Sequence, residues 1–124
     1  MSVYTDYDKA RHEVMSDWNE MDTLQRSFAA LRLFQADAAM LEHDEQTMYP
    51  VFTLDTMHVN RLTWDGQVYF IEVTDEVTET PLACFSVSDD ISSCEVIDAV
   101  RSATRVVIAA YRLLTDYQRF CGVD

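Results

Sequence analysis

Apolar positions recur at steps of three and four over the first forty or so residues, then at steps of two through the middle of the chain. Tyr7, Ala10, Val14, Trp18 and Met21 form one stripe, which predicts an amphipathic helix over 4–19. The phase then shifts. Leu24, Phe28, Leu31, Ala38 and Leu41, thickened by Phe34 and Met40, make a second stripe. Asp22 with Gln25 three residues on has the pattern of a capping box at a helix start. Two arrangements stay open at this point: a pair of helices, or one long helix bent near Trp18–Asp22.

The helical period ends at Glu42-His43-Asp44-Glu45, and Pro50 forbids its return because proline has no backbone N–H to donate. Val51–Leu54 reads as a short strand, with Pro50 suited to its first position or to an edge. Met57–Trp64 and Gln67–Thr74 are rich in β-branched and aromatic residues and flank Asp65-Gly66, a strong hairpin signal. Leu82–Val87 is a fourth strand. Ser92 and Glu95 repeat the capping-box pattern, and the helix they open runs to about Cys121, with Gly122 as its stop. Its face is marked by Val96, Val100, Ala103, Val107, Ala110, Leu114 and Tyr117 and widened by Ile97, Val106, Ile108 and Leu113. So broad a surface on a helix of about 25 residues either crosses a whole sheet or also packs on a second copy. The predicted architecture is a single α+β domain over 1–124. It has an antiparallel four-stranded meander sheet, an N-terminal helix or helix pair, and a long C-terminal helix packed on the sheet.

Composition narrows the function classes. Hydrophobic residues are 48% of 124, enough to fill a core. Two glycines and two prolines leave no Gly-rich loop to cradle phosphate, and no nucleophile-elbow, Walker or dinucleotide signature occurs. No apolar run nears the ~18 residues of a membrane span, and the N-terminus lacks a cationic and apolar leader, so a cytoplasmic location is expected. Cys84, Cys94 and Cys121 are an odd count without close spacing, which fits free thiols. Cys84, between Leu82 and Phe85, is expected as a small core residue. Cys94 is the thiol placed at a helix start, but Asp89, Asp90, Glu95 and Asp98 around it oppose thiolate formation. His43 stands beside Glu42, Asp44 and Glu45, yet His12 and His58 are remote and no metal-ligand spacing is present. Neither a metal nor a cofactor is expected, and no catalytic residue is assigned.

Charge changes the picture most. The chain carries 22 acids and 9 bases, a net −13, beyond the magnitude of ~2–8 usual for a small soluble domain. Residues 1–100 hold 20 of the acids and 5 of the bases, whereas 101–124 hold four arginines against Asp116 and Asp124. Such a surface repels nucleic acid and anionic membrane and attracts basic protein. Asp6, Glu13, Asp17 and Glu20 share a side of the first helix, and Asp75, Glu76 and Glu79 form a second patch. Carboxylates one helical turn apart lie ~5–6 Å from one another, so a row of them imitates a phosphate backbone sparsely. The plainer reading is a solvated face that keeps the chain soluble. Arg105, Arg112 and Arg119 recur every seven residues, with Arg101 one turn earlier. That basic stripe either pairs with the chain's own acids or forms a homodimer seam.

The expectation is therefore a non-catalytic acidic protein-binding module, a DNA-mimic-like inhibitor that occludes a basic site on a nucleic-acid-processing protein. A phage or mobile-element protein directed against a host or defence machine is the setting that suits it. Two alternatives remain: a dimeric adaptor resembling secretion chaperones, and a small enzyme using a carboxylate or Cys94.

Overall fold

Ser2 opens the first helix. Its backbone is extended and its hydroxyl accepts the Thr5 N–H at 3.2 Å, satisfying one of the donors a helix start leaves bare. The computed structural model describes residues 2–44, 57–64, 68–75 and 81–120. Helix α1, Val3–Asp17, buries Tyr7, Ala10 and Val14, the stripe expected from their spacing. A single 3-10 turn, Trp18–Glu20, and an extended Met21 end it. Helix α2, Thr23–Asp44, then starts on a reciprocal cap. The Gln25 N–H donates to Asp22 Oδ1 at 2.8 Å and the Asp22 N–H to Gln25 Oε1 at 2.9 Å. The N-terminal region is thus a pair of helices, because the cap at Asp22 restarts the helix after a break.

Three strands follow: β1 Met57–Trp64, β2 Val68–Asp75 and β3 Pro81–Ser88, antiparallel and in the order β1-β2-β3. Ile71 stands in register between Leu62 and Phe85, and an irregularity at Val59/Arg61 shifts the β1–β2 ladder by one residue. The last helix, α3, Ser93–Phe120, opens on the second reciprocal cap, with Glu95 N–H donating to Ser92 Oγ at 3.1 Å. At 28 residues it is roughly 42 Å long for a rise of 1.5 Å per residue.

This corrects the expected fold in two respects. The described sheet has three strands, not four. The expected first strand, Val51–Leu54, lies outside the described residues, as do the hairpin turn Asp65-Gly66 and Gly122. The domain is also mostly helical, with helices of 15, 22 and 28 residues against three strands of 8. The helices outweigh the sheet because the apolar periodicity runs on through the 22 residues of α2 and the 28 of α3, whereas each described strand is only 8 residues long.

Helices α2 and α3 lie on one face of the sheet, and α1 packs on the two helices from outside. The core gathers Val14 of α1, Leu33 and Phe34 of α2, Ile71, Phe85 and Val87 of the sheet, and Val96, Val100 and Val107 of α3. The Phe34 and Phe85 rings stack at 5.9 Å between centroids and 29° between planes, tying α2 to β3. Residues of the opposite parity, Phe70 and Cys84, are exposed on the other face. Cys84 is therefore not the core thiol expected from its apolar neighbours: alternation along β3 sends Phe85 and Val87 inward and Cys84 out.

Candidate partner-binding surface

The corner between α1 and α2 is fastened to the turn that precedes α3. Trp18 is 3% exposed, and its indole N–H donates to the Ile91 carbonyl at 2.9 Å. Arg26 spans the same junction. Its guanidinium sits 5.0 Å from the Trp18 ring centroid, its Nε donates to the Trp18 carbonyl and its Nη1 to the Asp89 carbonyl, both at 2.9 Å. The Thr23 hydroxyl donates to the Asp89 carboxylate, and Ser88 Oγ donates to Asp90 Oδ1 at 2.9 Å.

These contacts bring two acidic clusters, distant in sequence, to one corner: Asp17, Glu20 and Asp22 from the helix pair, Asp89 and Asp90 from the turn. All five are exposed. Two of them also hold structure, since Asp22 caps α2 and Asp89 receives Thr23. Arg26 is the cation at the junction, and its donors here reach main-chain carbonyls.

The structure separates the expected row on the first helix. Asp17 and Glu20 belong to the corner. Asp6 is exposed in the first turn of α1, about 16 Å from Asp17 along the axis at 1.5 Å per residue. Glu13 is drawn against α2, where both its oxygens take up Arg32; the Arg32 Nε contact is 3.3 Å. Of the second patch, Glu76 and Glu79 lie outside the described residues, as does the side chain of Asp75, which ends β2. Arg105 is exposed on α3, and Arg112 and Arg119 lie on the same helix with side chains outside the described residues. Arg101 Nη2 donates to the Tyr7 hydroxyl of α1 at 3.0 Å, so the basic stripe begins on an internal partner.

Sequence reasoning named Asp22 and the Asp89–Asp90 pair as separate features. The contact that joins them spans 73 residues and leaves no local signal.

Other chemistry is sparse among the described residues. No group of three or more His, Cys, Asp or Glu side chains is arranged to hold a metal ion. His43 Nδ1 lies 3.4 Å from the Tyr4 hydroxyl, with the rings edge to face. Cys94 is exposed in the first turn of α3. No described helix is long and apolar enough to cross a membrane. A shallow groove of about 430 Å³ runs between β3 and α3, lined by Cys84, Phe85, Ser86, Ile91, Ala99, Ser102, Ala103 and Val106. Compared with protein-family models, curated proteins and solved structures, the chain shows no significant match to any of them.

Proposed function

We propose that this protein is a non-catalytic acidic binding module that occludes a basic site on a nucleic-acid-processing protein, its carboxylates standing in for phosphates. The observation that carries this reading is the fastened corner, where Trp18 and Arg26 hold Asp17, Glu20, Asp22, Asp89 and Asp90 on one exposed surface. Held charges lose less conformational freedom on binding than charges on a loose loop, so the same electrostatic attraction yields more net affinity. The net −13 adds long-range steering toward a cationic partner. The contact surface is centred on Asp17 and Glu20, with Asp6 extending it along α1. Asp75, Glu76 and Glu79 remain part of the proposal as a second patch.

Capture from a nuclease-treated lysate of the native host, eluted by a salt gradient, tests the reading. A basic nucleic-acid-binding protein released between roughly 0.1 and 0.5 M salt is the expected result, because exposed charges are screened over that range. Retention through high salt contradicts it.

A second reading draws on the groove between β3 and α3. β3 is an edge strand of the described sheet, and its ladder groups beside an apolar groove suit an added extended segment. This is the adaptor reading, with a homodimer through the arginine stripe of α3 as its assembled form. It predicts salt-resistant client binding and a dimer in solution.

A further inference from the structure

The inner side of α3 is held in place. The buried Thr104 hydroxyl donates to the Asp37 carboxylate of α2 at 2.6 Å, and Arg101 Nη2 donates to the Tyr7 hydroxyl of α1 at 3.0 Å. The outer side is open: Asp98, Ser102, Arg105, Val106 and Ala109 are exposed, Val106 at 52% despite its apolar side chain. The side chains of Asp98 and Arg105 make no hydrogen bond or ion pair among the described residues.

Helical geometry gives this face an order. Seven residues take a helix through nearly two full turns, so Asp98 and Arg105 stand on one line about 10.5 Å apart. That is too far for them to pair within one chain. Ser102 lies between them, and its small side chain lets a second helix come close. Ala99 and Val106 sit one residue further round and line the groove beside Phe85 of β3. Acid precedes base along the line, and a second α3 turned end for end reverses that order. Each Asp98 then meets the Arg105 of the other copy, and both pairs form at once about a two-fold axis beside Ser102. A parallel pair in register sets acid on acid and base on base.

We propose that this face of α3 is a self-association surface, two copies pairing antiparallel with Asp98 of each against Arg105 of the other. Val106 and Ala109 leave water in the contact and add attraction that the charges alone do not supply. The two grooves, each on the β3 side of its own α3, then face one another across the seam. This deepens the adaptor reading, on which it rests for the use of the joined cleft, while the seam itself is measured without any client. Each copy carries a net −13, so the pair forms against long-range repulsion. At about 0.15 M salt the screening length is ~8 Å, which weakens that repulsion and leaves charges in contact attracted.

Sedimentation equilibrium of the whole chain at that salt, from micromolar to submillimolar concentration, tests the seam. The native chain is expected to dimerise. Asp98→Arg and Arg105→Asp each set like charges opposite one another and should weaken the dimer at least roughly tenfold. The double variant restores both pairs with the signs exchanged and should return to within about threefold of the native constant. Mixed-label NMR of the native dimer gives a reading that needs no variant: contacts between copies should join the Asp98 and Arg105 side chains. A native chain that stays monomeric, single variants that dimerise as the native chain does, a double variant as weak as the singles, or a dimer without the Asp98–Arg105 contact overturns the proposal. A monomeric chain that still holds a client through high salt overturns the seam and leaves the adaptor reading standing.

Discussion

The indole N–H of Trp18 meets the main-chain carbonyl of Ile91 at 2.9 Å, and this bond is the buried-ring member of the set, with those of Arg26 and Thr23 to Asp89, that joins the helix pair to the turn before α3. Trp18→Phe keeps most of the ring's packing and removes the donor, leaving a carbonyl short of a partner at a part-buried site. The expected loss of stability is about 1–3 kcal/mol, read by urea unfolding at neutral pH. Amide hydrogen exchange should quicken at Asp89–Ser92 more than in the middle of α1. A Phe variant as stable as the native chain shows that the bond is not what fastens the corner.

Phe34 carries the contact between α2 and the sheet. Fully buried and stacked on Phe85, it leaves a cavity when cut back, and Phe34→Ala should cost roughly 3–5 kcal/mol. Phe34→Leu should cost less because it fills more of the space. Equilibrium unfolding of the two variants side by side checks the order.

Ser92→Ala removes the hydroxyl that accepts the Glu95 N–H at the start of α3. The expected cost is about 0.5–2 kcal/mol, with faster amide exchange confined to the first turn of α3. A uniform change along the helix contradicts a local capping role.

Glu13 and Arg32 give a contrast between visible and energetic importance. Their contact is bidentate, yet the Arg32 side chain is 52% exposed and the Glu13 side chain 33%, so water screens the pair. Glu13→Gln should change stability by roughly 0–1 kcal/mol in thermal or urea unfolding. Its effect on partner binding should also be smaller than that of Asp17→Asn, because Arg32 already neutralises Glu13 whereas no described ion pair includes Asp17.

What the sequence conveyed and what it hid divide along the range of the interactions. Both capping boxes, Asp22 with Gln25 and Ser92 with Glu95, are bonded as their three-residue spacing implies, since a cap is decided within one turn. The stripe Tyr7, Ala10, Val14 and Trp18 is buried for the same reason: helical spacing alone puts those residues on one face. Strand count was less secure, because pairing depends on partners elsewhere in the chain. Cys84 misled because its neighbours are apolar while its parity on β3 points outward. Asp37 carried no signal at all, since a lone aspartate within a helical pattern gives no hint of a threonine 67 residues later. The acidic row on the first helix looked uniform in the sequence, and tertiary contacts split it into a free end at Asp6, a paired Glu13 and a fastened corner.

The central claim is that the corner carboxylates make the contact with a basic partner. The most direct measurement compares the affinity of the captured partner for the native chain and for the Asp17→Asn/Glu20→Gln double variant at about 0.1 M salt. These two side chains are exposed, and no described cap or ion pair involves them, so the fold should be retained; a matched urea midpoint verifies that. The account predicts binding at least tenfold weaker, about 1.4 kcal/mol, with a shallower dependence on salt. Equal affinity for a variant that folds normally contradicts it and moves the partner contact away from this corner.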